Sequence, residues 1–182
     1  MIEVLITGIG GQGAQTIGKI LIEIYFKKQY KISYYPFYGS QMRGGNSSCV
    51  VKFDEREVVN PCINNAGLYA AMDENGINEN IKYLKHNSIM IINVDKVSDE
   101  FLELLNNNNE FRSKNINIIK INANKKAIDF GMKNAANIVM LKYISDILKL
   151  SSDEVKYGID KFFRDNGKQK YIDKNIELYE VS

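Results

Sequence analysis

Two glycine-rich stretches carry the residues best suited to chemistry. The first is Gly8-Ile9-Gly10-Gly11-Gln12-Gly13. The spacing G-x-G-x-x-G between an apolar strand and a helix presents backbone N–H groups to an anion at the positive end of that helix. Glycine suits this turn because a Cβ would block close approach of the backbone. The second is Tyr38-Gly39-Ser40-Gln41-Met42-Arg43-Gly44-Gly45. Glycines on both sides of Arg43 allow a sharp reversal that presents its planar guanidinium to a carboxylate or phosphate. Tyr34, Tyr35, Phe37 and Tyr38 crowd the same region, able to stack on a base or to fill a partner's pocket. The candidate binding residues are therefore Gly8, Gly10, Gly11, Gln12, Gly13, Tyr38, Gly39, Arg43, Gly44 and Gly45. Each stretch also has a plain alternative: a tight structural turn for the first, an Arg43 ion pair for the second.

The first motif alone suggests a dinucleotide, and the residues that follow argue against one. A nicotinamide site needs an acid at the end of the second strand, about 20 residues on, to bind the ribose hydroxyls. Here that region reads Lys31-Ile32-Ser33-Tyr34-Tyr35-Pro36, with no acid. Some other anion or carrier contact stays open. The single histidine, His86, reads as an exposed turn before a strand. The only cysteines, Cys49 and Cys62, form no C-x-x-C pair, too few for an iron–sulfur cluster or a zinc site built from this chain alone. Cys49 alternates with Val51 and Phe53 and is expected to be a buried thiol. No nucleophile–base pair can be named, so no catalytic residue and no metal site is assigned.

Strand and helix signals alternate around these loops. Strands are expected at Ile2–Thr7, Ile32–Tyr35, Ser47–Phe53, Ile89–Val94 and Ile116–Ile121. Asp54-Glu55-Arg56 suggests a turn into a short return strand, Glu57–Val59, making a hairpin. Leu68–Met72 suits either a strand or a helix. Helices are expected from Ala14 to near Phe26 and at Asn78–Leu84, Lys125–Met132 and Ala136–Leu150. The run Asn106–Asn109 reads as a loop tip. Ser151-Ser152-Asp153-Glu154 is a capping box opening a last helix to about Phe163. The pattern predicts one domain, residues 1–182, folded as a three-layer α/β/α sandwich on a mostly parallel Rossmann-like sheet with an inserted β-hairpin. The carboxyl ends of the first two strands then bring both glycine-rich loops to one edge of the sheet.

Composition narrows the function classes. The chain is 45% hydrophobic and 25% charged, as ordinary soluble domains are. A net charge of +2 gives no electrostatic case for nucleic acid or a membrane. The apolar runs are too short to span a bilayer, and the first residues lead into a strand with no signal-peptide pattern, so a cytoplasmic setting is expected.

Taken together, G-I-G-G-Q-G, then Y-G-S-Q-M-R-G-G-N-S-S-C-V-V, then D-E-R-E-V and N-P resemble the gamma subunit of 2-oxoacid:ferredoxin oxidoreductases. Asn134-Ala-Ala-Asn137-Ile-Val-Met-Leu141 resembles that family's C-terminal helix, and the likeness runs from about Ile2 to Leu150. Within the family, the chain looks closest to the 2-oxoglutarate and branched-chain types. The family commonly has Glu where this chain has Gln41, so no role needing a charge there carries over. The resemblance implies a subunit of an anaerobic enzyme that oxidatively decarboxylates a 2-oxoacid, forms acyl-coenzyme A and reduces ferredoxin. It implies thiamine diphosphate and iron–sulfur clusters on alpha, beta and ferredoxin-like partner subunits, with coenzyme A as a candidate ligand of the glycine-rich loops. An isolated chain is expected to be inactive, and to self-associate through Phe37, Tyr38 and Met42. The alternatives are a free-standing NAD(P)-binding enzyme and a non-catalytic assembly subunit.

Overall fold

The computed structural model describes residues 1–38, 45–58, 60, 62–96 and 98–182. Strand β1 (Ile2–Ile9) runs into the first glycine-rich loop and helix α1 (Ala14–Lys27). Ile17, Ile20, Leu21 and Ile24 fall on one stripe of α1, and all are buried. In β1 the side chains alternate: Val4 and Ile6 enter one core and Leu5 the other. This strand is therefore covered on both faces, the central layer of a three-layer sandwich.

The remaining strands are β2 (Lys31–Tyr38), β3 (Asn46–Asp54), β4 (Ala66–Ala71), β5 (Leu84–Asn93) and β6 (Asn117–Ile121). Their order is β2-β3-β1-β4-β5-β6. β1, β4, β5 and β6 pair in parallel, and β3 runs antiparallel to both β1 and β2. The sheet is mostly parallel, as expected. The hairpin, however, is β2–β3: Glu57 and Val58 form no strand, and position 59 lies outside the described residues.

Helices α2 (Ile77–Asn80), α3 (Asp99–Asn107) and α4 (Asn109–Lys114) lie on one face. There Ile77, Phe101 and Leu105 share a core with Leu5, Val50, Tyr69, Met90 and Ile92. The helix expected at Asn78–Leu84 is only the short α2 followed by a 3-10 turn, Ile81–Tyr83. The asparagine run is no loop tip. Asn108 is an N-cap whose side chain accepts from the Phe111 N–H at 2.9 Å, and α3 and α4 flank it. His86 lies within β5, exposed, rather than in a turn before it.

The other face carries α1 with α5 (Ala123–Asp129), α6 (Ala136–Ile147), α7 (Ser152–Asp165) and α8 (Ile172–Val181). The capping box forms as expected: Ser151 accepts from the Glu154 N–H and Glu154 reaches back to the Ser151 N–H. α7 approaches α1 closely because Gly158 has no side chain; a Cβ there would lie 2.5 Å from Ile24 Cγ1. Gly18 does the same for α1 on the sheet, where a Cβ would lie 2.6 Å from the Cys49 sulfur.

Candidate functional site

The first glycine-rich stretch meets Gly45, the last residue of the second, where the sheet's carboxyl ends gather. β1 and β2 both run antiparallel to β3, so their carboxyl ends share one edge. The Gly10 N–H donates to the Gly45 carbonyl at 2.9 Å and ties the first loop to the start of β3. Of the second stretch, Gly39, Arg43 and Gly44 lie outside the described residues, as do Ser40, Gln41, Met42 and the Tyr38 side chain.

Inside the first loop the polar groups largely serve the turn itself. Gln12 Oε1 accepts from the Ile9 N–H at 2.7 Å, and the Gln12 N–H donates to the Ile9 carbonyl at 3.0 Å. A Cβ at Gly8 would lie 2.7 Å from Gln12 Oε1, so Gly8 makes room for that side chain. The expected cradle of amides from Gly10 to Gly13 is thus narrowed, because two are already donated within the chain. Gly11 and Gly13, together with the first turn of α1, keep N–H groups with no protein acceptor among the described residues. Gly11 and Gly13 both have positive φ, +102° and +88°, which favours glycine. Gln15 anchors the start of α1 by donating to the Ser48 carbonyl at 2.7 Å and accepting from the Tyr34 hydroxyl.

Gly13 opens onto a cleft of about 580 Å³ between the amino ends of α1 and α6. Asn137, in the first turn of α6, is 8% exposed and lies against Gly13, where a Cβ would come within 2.8 Å of its Cβ and Cγ. Asn137 lines the cleft. Neither α1 nor α6 has a side-chain N-cap or an acid in its first turn. Lys133, Lys168 and Tyr171 also line the cleft, and no acidic residue among those described does. Two positive helix ends and two lysines face one space, which favours an anion there. Lys133, Asn137, Lys168 and Tyr171 were not singled out as site residues from sequence. Asn137 alone had a signal, as part of the Asn134–Leu141 motif.

The dinucleotide reading also loses its geometric basis. Its ribose acid stands on a strand beside β1, and here β3 separates β2 from β1. Cys49 is fully buried, its thiol directed at the Ala14 carbonyl, and burial pushes its pKa up to about 12. It is a core residue, as expected. Among the described residues no cluster of histidine, cysteine or carboxylate side chains could hold a metal.

The model of the family described as pyruvate ferredoxin/flavodoxin oxidoreductase matches residues 3–181. The chain belongs to this family. A relative in Methanothermobacter marburgensis, ketoisovalerate oxidoreductase subunit VorA, is 27% identical over 180 residues, 99% of this chain and 35% of the relative. The common gamma subunit of pyruvate and ketoisovalerate oxidoreductases from Pyrococcus abyssi is 31% identical over 109 residues, 58% of each chain. The chain thus spans about a third of the VorA relative's length. A pyruvate oxidoreductase subunit from Thermotoga maritima shares the fold, with a TM-score of 0.73 at 20% identity, over 98% of this chain and 92% of that one. So does the keto/oxoacid ferredoxin oxidoreductase gamma subunit from Geobacter sulfurreducens, with a TM-score of 0.67 at 18% identity over the whole of both chains. The family's resemblance read from the motifs is borne out, and so are the gamma-type assignment and the α/β fold class.

Proposed function

We propose that this chain is the gamma-type unit of a multisubunit 2-oxoacid:ferredoxin oxidoreductase, working in the cytoplasm. The complex decarboxylates a branched-chain 2-oxoacid or 2-oxoglutarate, transfers the acyl group to coenzyme A and passes two electrons to ferredoxin. The branched-chain choice draws support from the relatives named for ketoisovalerate. Thiamine diphosphate and the iron–sulfur clusters belong to the alpha, beta and ferredoxin-like partners. A four-cysteine cluster cannot be built on two cysteines, one of them fully buried in the core. No helix among the described residues is long and apolar enough to cross a membrane.

The observation that carries the role of the loops is the Gly10–Gly45 hydrogen bond, which brings the flank of the Arg43 stretch to the turn after β1. Gly8, Gly10, Gln12 and Gly45 shape that junction. Gly11, Gly13 and Arg43, with Tyr38, Gly39 and Gly44 beside it, would face a coenzyme A phosphate at the subunit boundary. In the assembled complex, Arg43→Ala should raise the KM for coenzyme A and spare the decarboxylation half-reaction. The expected loss is about 1.5–3 kcal/mol, the range for a charged hydrogen bond. If coenzyme A dependence is untouched and the complex falls apart, Arg43 is an interface residue instead. Purified alone, the chain should be colourless and should reduce no dye with a 2-oxoacid.

A further inference from the structure

We propose that β2 pairs with β2 of a second copy of this chain, antiparallel about a two-fold axis at Tyr34, and that Lys31 of each copy seats against Glu79 of the other. β2 is the outermost strand and pairs only with β3 among the described residues. Its odd-numbered side chains lie on the face of the core that holds Leu5 and Val50. Tyr35 stands opposite Val50. Phe37 stands opposite Ser48 and lines a pocket of about 200 Å³ with Leu5, Ile63, Tyr83 and Glu79. Tyr35 and Phe37 are each 41% exposed, with their rings in edge contact. Pro36 falls in the even-numbered set, and a proline on an edge strand keeps its nitrogen on the solvent side. The backbone groups of Ile32 and Pro36 thus face outward, where a further strand would bind.

Symmetry and charge select the occupant and its register. Facing residues in a ladder put their side chains on the same side of the sheet, so a two-fold pairing matches odd positions with odd. Axes at Tyr34 and at Tyr35 both overlap nearly the whole strand. Only the first takes in Lys31, the sole charged residue of β2, and sets it opposite Phe37 of the second copy. Ser33 then faces Tyr35 and leaves room for the ring, and the Ile32 N–H meets the Pro36 carbonyl. Lys31 and Glu79 are both exposed, and neither forms an ion pair among the described residues. Glu79 is the one charged residue lining the Phe37 pocket. Residues 58–81 carry Asp73, Glu74 and Glu79 with no lysine, arginine or histidine. A lysine stem laid over the Phe37 ring carries its ammonium to that acidic rim. The same contact recurs on the other side of the axis.

The test is sedimentation velocity on the full chain over a range of concentrations. The contact is small, so the dimer should dissociate at about 1–100 μM. Lys31→Glu and Glu79→Lys each set like charges together on both sides of the axis, and each should weaken the dimer by about tenfold or more. The first lowers the net charge and the second raises it, so a matched loss cannot come from general repulsion. Combining them exchanges the two charges and should restore the original association. Both side chains are exposed, so circular dichroism should show every variant folded. The proposal is overturned if the chain stays monomeric throughout that range, which would leave the β2 edge to a different chain. It is equally overturned if a dimer forms but ignores both single substitutions, or if the double variant fails to restore it, since the dimer then uses another face. None of these outcomes bears on the Arg43 test in the assembled complex.

Discussion

Replacing Lys52 by methionine should destabilise the chain more than any change on its surface. Lys52 in β3 stands directly opposite Glu3 in β1, and the two side chains are 2% and 3% exposed. Lys52 Nζ lies 3.3 Å from Glu3 Oε2 and also donates to the Cys62 carbonyl. The other carboxylate oxygen, Glu3 Oε1, accepts from the N–H groups of Asn64 and Asn65 at 2.8 and 3.3 Å. One ion pair thus pins the segment 62–65 across the sheet. Lys52→Met keeps most of the apolar stem and removes the cation, leaving a buried carboxylate with only two amide donors. Breaking a buried pair in this way costs about 3–5 kcal/mol. For a chain of this length that corresponds to a fall in Tm of about 6–20 °C. The double variant Glu3→Gln with Lys52→Met retains an acceptor for the two amides and removes the orphaned charge, so it should recover about half of the loss. Urea unfolding followed by circular dichroism measures both. A loss below about 1 kcal/mol for Lys52→Met would show that Glu3 is hydrated rather than buried, and would refute the reasoning.

Other expectations follow from the same packing. Only Cys62 should react with a thiol reagent in the native state, since Cys49 is inaccessible and its thiol is held protonated, with a pKa near 12, by burial; Cys62→Ser should abolish native labelling. Glu154 has its carboxyl held below the ordinary range by Lys28, aided by the Ser151 N–H. Its contribution is therefore full above the unfolded pKa and lost as pH falls through the folded one, so Glu154→Gln should flatten the acid limb of a stability profile measured between about pH 6 and pH 2. Gly158→Ala should cost about 1–3 kcal/mol in urea unfolding despite alanine's better helix propensity, because the new methyl meets Ile24 and Ile20. No loss there would mean that α7 can move away from α1 freely.

The parts of the fold written in local pattern were legible in the sequence. β1, α1 and β3 announce themselves by periodicity, and α7 by its capping box. The Asn106–Asn109 run misled because asparagine serves loops and helix caps alike, and only the Phe111 N–H shows which role Asn108 takes. The Asp54–Arg56 turn predicts a hairpin one strand late: the turn is real, with Asp54 Oδ1 accepting from the Arg56 N–H, but the chain beyond it goes to cover Lys52 instead of returning as a strand. α8 carries no strong local signal and is held by its contacts with α6 and α7, including the Ser145–Tyr179 hydroxyl pair at 3.0 Å. The candidate site divides in the same way. Its glycine-rich loop can be read locally, whereas Asn137, Lys133 and Lys168 come to Gly13 only through the stacking of α5–α8 on α1.

The position of β2 has a consequence for assembly in crowded solution. As the outermost strand beside β3, it offers a row of backbone groups to any passing chain, with Tyr35 and Phe37 each 41% exposed and their rings in edge contact at 4.5 Å. An unpaired edge strand with exposed apolar side chains invites lateral growth. Pro36 sits between those two rings and supplies no N–H. The border is sticky to side chains yet a defective template for another ladder. Such a strand tolerates one fitted neighbour and resists propagating into fibres.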